Sequence, residues 1–570
     1  MARQRLQEAT QTYWRLVLPS RPDLAATVGR PIEALVSPVL SADDHSASRT
    51  AIRVIDQLET VDARALSPTD YATMQTLRWE VESAAEAQAF ASIDFSLLSP
   101  ARSALRVPLE VSTRLEFAST MDLDRYLFLL DGIAFWLLDA RNALELRARD
   151  QAFASRDAVR AFRGLLDSLR AVVRRGELRI GDDRLTAIAP AHVAQFRGEE
   201  ARAITEQIGP AIDSLTAYLG QYEARSMLRP GLWQYPGGKE FYRHLLRRHL
   251  GVEIEPEDAH RVGLAEARRI DSLLIAVRRR LGWNGSVAAF HDSLRQLPAF
   301  APVSAESAMA HLHATLAAMR DSIVTRIDAP LSQTPDIRMA TPLEQLLDPE
   351  GLVRPPRNVG ESARVTITPA WLSVESQLEG PSRVMRWVWP GAALAMTQSY
   401  AHDTLNPMLL LHPSRATQEG WAEYAASLAG ELGAYVNPLD AYGRLMHEGW
   451  NAALLIADTG IHYLGWTPEQ ALAVLRPFSF ADDSTLRARL VDQVILAPGR
   501  AGASAIGARE IAAQRAWIRG TLGPAFDEPS WHAAVLALGP VPLPVMASYL
   551  EWWAYDVGRR QAELKAVRTP

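Results

Sequence analysis

The stretch Glu255-Pro256-Glu257-Asp258-Ala259-His260-Arg261-Val262-Gly263-Leu264-Ala265-Glu266 shows most clearly which kind of structure this chain forms. Proline is favoured in the first turn of a helix, because its missing N–H group would have no partner there. Acidic residues in the same turn favour the positive end of the helix dipole. Apolar residues then recur at spacings of three and four, which is typical of a helix with one buried face. We therefore predict a helix over Pro256–Leu281.

The same periodicity extends over much of the chain. It predicts three further long helices, over Asp122–Leu146, Arg156–Arg174 and Ala305–Ile327. Strand patterns are few, and the best is Arg364-Val365-Thr366-Ile367-Thr368, in which polar and apolar residues alternate. This segment could border a substrate cleft and accept a peptide as an additional strand, or it could be a purely structural strand or connector. The predicted fold class is mainly α, a large multi-helix body with a small β element.

A proline-rich segment, residues 329–361, interrupts the helical pattern. We interpret it as a connection between an N-terminal helical region, residues 1–328, and a C-terminal region, residues 362–570. Because large helical proteins often form one continuous body, we expect the three parts to belong to a single domain.

The composition is that of an ordinary globular protein, with 48% hydrophobic and 22% charged residues and a net charge of −6. Basic and acidic residues are interleaved, which argues against a nucleic-acid partner. No apolar run approaches the roughly 18 residues that a membrane span needs, so no membrane partner is predicted. Cysteine is absent, which excludes disulfides and thiolate metal sites and fits the reducing cytosol. The predicted location is cytoplasmic.

Three blocks in the C-terminal region carry the most specific pattern. They are Arg386-Trp387-Val388-Trp389-Pro390-Gly391-Ala392-Ala393-Leu394-Ala395, Glu419-Gly420-Trp421-Ala422 and Asp458-Thr459-Gly460-Ile461-His462. Their order and spacing resemble the bacterial domain-of-unknown-function family 885 (DUF885), a group of zinc-peptidase-like proteins. Supporting segments occur from Tyr13-Trp14 to Pro540–Val545, so the resemblance covers nearly the whole chain. The chain is identified as a divergent member of that family.

The resemblance implies a zinc-peptidase-like body with a deep cleft, but the first block lacks the family's metal-binding motif. Family members typically read H-E-x-x-P-G-H-H-x-Q in this block, and only Pro390-Gly391 remains. The other positions hold Arg386, Trp387, Ala392, Ala393 and Ala395. None of these can coordinate zinc, because arginine stays protonated and tryptophan and alanine offer no lone pair. We therefore predict no metal and no cofactor.

Three residues are candidate catalytic groups: Glu419, Asp458 and His462. Glu419 resembles the family's third metal ligand. Asp458 and His462 are four residues apart, so both lie on one helix face, where a hydrogen bond between them could orient the imidazole as a general base. The alternative is a buried polar pair that only stabilises a helix.

Four residues are candidate ligand-binding groups: Arg386, Trp387, Trp389 and Glu423, which lies one helical turn after Glu419. Tryptophans with one fixed positive charge would make the former metal pocket suitable for an aromatic or carboxylate-bearing molecule. The alternative is that the tryptophans fill the volume left by metal and water, since cavities are costly.

The function predicted from these residues is that of a metal-free, peptidase-like protein whose former zinc cleft binds a small molecule or a short peptide. It would act as a pseudoenzyme or as a repurposed, for example biosynthetic, enzyme; the sequence leaves open whether it is an enzyme at all. The other candidate is a metal-dependent peptidase or hydrolase with a rebuilt zinc site, for which His402-Asp403, Glu419 and His462 would be the ligands. The sequence indicates nothing about oligomeric state.

Overall fold

The fold was analysed in a computed structural model. It describes residues 1–18, 45–99, 111, 115–297, 304–327, 335–347, 352–356, 361–369, 378–401, 406–435 and 437–568.

Helices make up most of the described chain, and a three-stranded sheet is its small β element. The helices are α1 (Ala2–Val17), α2 (Ser46–Glu59), α3 (Pro68–Gln88), α4 (Thr120–Arg149), α5 (Arg156–Arg174), α6 (Pro190–Arg202), α7 (Gly209–Tyr222), α8 (Gly238–Leu250), α9 (Pro256–Arg280), α10 (Val287–Arg295), α11 (Ala305–Arg326), α12 (Pro342–Leu347), α13 (Gly380–Trp387), α14 (Ala392–Ser399), α15 (Met408–Leu411), α16 (Arg415–Glu431), α17 (Pro438–Thr459), α18 (Pro468–Leu475), α19 (Asp483–Leu490), α20 (Ala503–Leu522), α21 (Glu528–Leu538) and α22 (Leu543–Arg568). The strands are β1 (Asp336–Met339), β2 (Leu352–Arg354) and β3 (Arg364–Ile367). The predicted mainly α fold with a small β element is confirmed, whereas likeness to zinc peptidases stays a prediction.

The four long helices predicted from periodicity are all present. The predicted Arg156–Arg174 and Pro256–Leu281 correspond to α5 and α9, and α9 ends one residue early, at Arg280. The α4 helix begins at a capping box in which Ser119 and Asp122 bond each other's backbone N–H groups, which fixes its start. Local capping and periodicity are therefore sufficient to place these elements.

The predicted strand is present as β3, but it lies in the middle of the sheet. The strand order is β1-β3-β2, with β1 parallel and β2 antiparallel to β3. Both edges of β3 are therefore occupied by backbone hydrogen bonds, and a peptide cannot add to it as a further strand. The structural interpretation of this segment is correct and the peptide-binding one is wrong.

The largest hydrophobic core joins all three predicted regions of the chain. It contains Phe241 from residues 1–328, Val353 from residues 329–361 and Trp389 from residues 362–570. Residues 329–361, predicted to be a mere connection, contribute two strands and a short helix. The exact boundaries between the three regions stay a prediction.

Two close helix crossings bring together the helices that surround the candidate site. A Cβ atom at Gly420 of α16 would lie 2.4 Å from the backbone of Gly507 in α20. A Cβ atom at Gly263 of α9 would lie 2.8 Å from the side chain of Ile456 in α17. Only glycine allows such approaches, so these positions fix the distance between the helix pairs.

Candidate functional site

A cleft of about 670 Å³ opens between α9, α16, α17 and α20. Its size is within the range of small-molecule and cofactor sites. Alanines and aliphatic residues form much of the wall, and charged groups of both signs surround it. The described lining residues are Asp258, Arg261, Val262, Gly263, Ala265, Glu266, Arg269, Glu423, Tyr424, Ser427, Glu431, Glu448, Asn451, Ala452, Leu455, Ala505, Ala508, Arg509, Ala512 and Arg515.

The structure brings together two of the predicted ligand-binding residues, Arg386 and Glu423. The Arg386 Nε donates to Glu423 Oε2 over 2.9 Å, and the two side chains are only 5% and 6% exposed. Asn451 Nδ2 donates to the same oxygen over 3.2 Å, and His447 Nε2 lies 3.4 Å from it. Burial alone would raise the pKa of the Glu423 carboxyl, but Arg386 and His447 lower it below its ordinary value. Glu423 is therefore ionised and is paired with a fixed cation.

Several polar atoms of this ion pair have no partner. Glu423 Oε1 and both terminal nitrogens of Arg386 are buried without a hydrogen bond in the described part of the chain. Leaving such a group unpaired costs on the order of 1–3 kcal/mol. Glu423 also lines the cleft, so this buried carboxylate forms part of the wall of the site.

The ion pair belongs to a larger polar network between α13 and α17. His447 lies 3.7 Å from Glu379, and Arg383 donates to the same carboxylate over 3.3 Å. Burial would raise the pKa of the Glu379 carboxyl, but His447, Arg383 and Arg386 together lower it to about 2. Through Arg386 and His447, this network holds the Glu423 carboxylate in one arrangement in the wall of the cleft.

Glu419, predicted to be catalytic, is also already paired. It lies one turn before Glu423 on α16, with its side chain 30% exposed. Arg415 approaches one of its oxygens to 2.7 Å, and Ser504 donates to the other over 3.1 Å. Glu419 is not among the residues that line the cleft. Its catalytic role stays a prediction.

Trp387 and Trp389 lie in the largest hydrophobic core. Trp389 is 6% exposed, and Trp387 is partly buried against the same cluster. Neither lines the 670 Å³ cleft or the smaller cavities of about 190 and 50 Å³. Their burial favours the volume-filling alternative, and a role in ligand binding stays a prediction.

Asp458 and His462 are close to each other but do not form the expected hydrogen bond. His462 Nε2 is 3.8 Å from Asp458 Oδ1 and instead donates to the Val494 carbonyl over 3.0 Å. Asp458 accepts from Tyr242 Oη and from the Gly499 N–H, both over 3.2 Å. The reason is local: Gly460–Leu464 is a π-helical turn, which changes the α-helical spacing that the prediction assumed.

Burial keeps both of these groups neutral. It raises the pKa of the Asp458 carboxyl to about 8 and lowers that of the His462 imidazole to about 4. His462 borders a separate cavity of about 50 Å³ and does not reach the 670 Å³ cleft. The geometry matches the alternative of a buried structural pair, and an acid–base role of these residues stays a prediction.

Sequence reasoning missed two features of the cleft. The first is Tyr424, whose hydroxyl bonds His532 Nε2 over 2.7 Å while His532 Nδ1 bonds the Arg326 carbonyl over 2.7 Å. A nitrogen that faces a carbonyl must carry the proton, so Tyr424 is the donor to Nε2. No sequence pattern links positions 424 and 532.

The second missed feature is Arg509 on the α20 wall. Its guanidinium has no hydrogen-bond or ion-pair partner in the described part of the chain. Ala505, Ala508 and Ala512 lie on the same wall. Their spacing of three and four is a stripe of small residues on one helix face, a signal that was available in the sequence.

The described residues contain no group of three or more histidine, aspartate or glutamate side chains that could hold a metal ion. His402-Asp403, suggested as part of a rebuilt zinc site, lies outside the described residues. Glu419 and His462, its other suggested ligands, belong to the separate hydrogen-bond groups described above.

Residues 22–550 match the family described as bacterial protein of unknown function (DUF885), and the chain belongs to this family. Its fold is similar to a crystal structure of "the putative lipoprotein from Colwellia psychrerythraea", with a TM-score of 0.83, 19% identity and coverage of 96% of this chain and 99% of that one. It is also similar to "a putative lipoprotein of unknown function from Shewanella oneidensis", with a TM-score of 0.68, 14% identity and the same coverages. No curated protein matches the chain.

These comparisons correct the predicted location. Both solved structures are described as lipoproteins, which contradicts a cytoplasmic assignment. That assignment used the absence of cysteine, which exported proteins can share, so the premise did not discriminate between compartments. Within the described residues, none of the helices has the length and apolar character needed to cross a membrane.

Proposed function

We propose that this protein binds a small molecule or a short peptide, without a metal, in the cleft between α9, α16, α17 and α20. One observation carries the proposal: the wall of a 670 Å³ cleft contains an ionised, buried carboxylate, Glu423, one oxygen of which has no hydrogen-bond partner among the described residues. A ligand N–H or O–H group there would satisfy the acceptor.

Binding without a metal is supported by the partners of the two glutamates on α16. Glu423 is paired with Arg386, and Glu419 is paired with Arg415. A divalent cation bound to either carboxylate would lie next to a guanidinium and would be repelled by its positive charge. The arginines supply the neutralising charge that a metal would otherwise bring.

The cleft also indicates the chemistry of its ligand. Arg509 is an unpaired cation on the α20 wall and suits a carboxylate. The same cleft is also lined by Ala508 and Leu455, which suit an apolar part of the ligand. A short peptide, or an amino-substituted aromatic acid, combines a donor, an apolar part and a carboxylate. Such a ligand would suit a pseudoenzyme as well as a repurposed enzyme.

The test uses a pool of tripeptides with free carboxyl termini, the same pool amidated, and indole-3-acetate. Native mass spectrometry identifies the probes that bind, and titration calorimetry measures their affinity. Ala512→Trp places a bulky ring in the cleft, while Ala513→Trp is a matched control, since Ala513 is equally exposed on α20 but does not line the cleft. We expect Ala512→Trp to weaken binding at least about tenfold and Ala513→Trp to leave it unchanged.

Arg509→Gln separates the parts of the proposal. This substitution should weaken binding of the probes that carry a carboxylate and leave binding of the amidated probes unchanged. An equal loss of affinity for both pools would show that Arg509 does not bind the carboxylate. If no probe bound the wild-type protein, or if Ala512→Trp bound as well as Ala513→Trp, the cleft would not be the binding site. Mass spectrometry of the recovered probes shows whether they are altered, which distinguishes an enzyme from a binding protein.

A further inference from the structure

A second, smaller pocket lies apart from the cleft. It has a volume of about 190 Å³ and is formed mainly by α14, α21 and the first half of α16. On α16 it is lined by Thr417, Gln418 and Trp421, whereas the cleft is lined by residues 423–431 of the same helix. The two sites have no described lining residue in common.

The wall of this pocket is apolar. Ala395, Met396, Val535 and Leu536 contribute aliphatic surface, and Trp421 contributes an aromatic ring. No charged side chain is among its described lining residues. The pocket therefore offers nothing to neutralise a charged ligand, whose desolvation would be unfavourable there.

Three polar groups in the wall are already satisfied by the protein. Trp421 Nε1 donates to the Pro390 carbonyl over 3.0 Å, and Thr417 Oγ1 donates to the Val541 carbonyl over 2.5 Å. Ser399 Oγ donates to the Ala395 carbonyl over 2.8 Å. With these donors used internally, the wall holds water poorly and favours an apolar occupant.

The volume limits the occupant to one aromatic ring or two fused rings. Dry, apolar cavities of roughly 150 Å³ take up benzene, so 190 Å³ accommodates a single aromatic ring or a fused pair such as indole. We infer that this pocket is a second binding site, independent of the proposed cleft function, for an uncharged aromatic group of one or two rings.

The experiment measures binding of indole and toluene to the full-length chain by titration calorimetry and by ligand-observed NMR. Ala395→Phe fills the pocket, and Ala395→Met is a milder filling variant if the first folds poorly. Ala512→Trp, which obstructs only the cleft, is the control. We expect saturable binding by the wild type, at least about tenfold weaker binding by the Ala395 variants, and unchanged binding by Ala512→Trp.

N-acetyl-tryptophanamide shows whether the ring can enter while attached to a peptide backbone. If it competes with indole in the wild type and not in Ala395→Met, the ligand is a peptide side chain. If only the free rings bind, the ligand is a small free molecule. Either result supports the site.

Three outcomes would overturn the inference: no saturable binding of either ring, equal affinity in the wild type and both Ala395 variants, or loss of ring binding in Ala512→Trp alone. Failure of the proposed cleft function looks different, because it concerns the carboxylate-bearing probes and their dependence on Ala512. The two proposals can therefore fail separately.

Discussion

At the scale of single residues, Arg386 and Glu423 decide the character of the site. The two residues are 37 positions apart in the chain, and both side chains are almost completely buried. Arg386 Nε and Glu423 Oε2 are 2.9 Å apart. Burying two charges is costly, and their attraction offsets that cost only while both are present. The pair is therefore a strong determinant of local structure even if its net contribution to stability is small.

We predict that Arg386→Met lowers the free energy of unfolding by about 3–5 kcal/mol, because it leaves the Glu423 charge buried and uncompensated. Urea titration followed by circular dichroism measures the loss. The double variant Arg386→Met with Glu423→Leu is the matched control, and it should recover most of the stability, since neither charge then remains. A loss below about 1 kcal/mol for the single variant would contradict the buried ion pair.

The contribution of Asp458 to stability should depend on pH, because burial raises the pKa of its carboxyl from 3.8 to about 8. The folded state then holds a proton that the unfolded state releases, so this contribution to stability is complete below pH 3.8 and is lost as pH rises towards 8. His462, with its pKa lowered to about 4, acts in the opposite direction below pH 6.5. His244, His260, His291 and His532, whose pKa values burial also lowers, act in the same direction as His462. These histidines are common to the wild type and Asp458→Asn, so the difference between the two proteins from pH 6.5 to 8 isolates Asp458.

In that window the wild type should lose up to about 2 kcal/mol of stability relative to Asp458→Asn, from roughly 1.4 kcal/mol per pH unit, because the asparagine side chain cannot ionise. Urea titrations at four pH values test this. Equal pH dependence of the wild type and the variant would mean that Asp458 is ionised in the folded protein.

At the scale of secondary structure elements, the crossing of α16 and α20 sets the shape of the cleft, since both helices form its walls. The crossing is close because glycines face each other. A Cβ atom on Gly507 would lie 1.8 Å from the Ala416 carbonyl oxygen. Both helices would have to separate to admit even a methyl group.

We predict that Gly507→Ala costs about 1–3 kcal/mol of stability by overpacking this crossing. Gly520→Ala, on the same helix, is the control: no atom lies within 4 Å of its Cβ position, so it should be neutral or stabilise by up to about 1 kcal/mol through helix propensity. Thermal unfolding of the two variants side by side makes the comparison. Equal effects would show that the crossing is less close than described.

At the scale of the whole molecule, the proposed absence of a metal has a consequence for stability. A zinc ion present at 100 times its dissociation constant would stabilise a folded protein by about 2.7 kcal/mol. We predict instead that the unfolding midpoint is the same in EDTA as in excess Zn²⁺. Scanning calorimetry compares the two conditions. A zinc-dependent rise that Glu419→Gln abolishes would support the other candidate, a rebuilt metal site.

The sequence by itself determined the elements that depend on neighbouring residues. Helix α5 has the predicted bounds, and α9 begins where Pro256 and the acids beside it placed its start. Helix capping and the apolar periodicity of a helix depend on residues that are close together in the chain, so both can be recognised in the sequence. The order of the three blocks was also sufficient to recognise the family, which the match over residues 22–550 confirms.

Only the tertiary structure decided which groups meet. β3 is a central strand because its partners come from elsewhere in the chain, and Arg386 pairs with Glu423 of a different helix. His462 donates a hydrogen bond to the Val494 carbonyl and not to Asp458. These contacts depend on how helices cross and on which buried polar atom has to be satisfied, and neither is encoded in local spacing. The cleft, the unpaired Glu423 oxygen and the apolar pocket therefore became visible only in the folded chain.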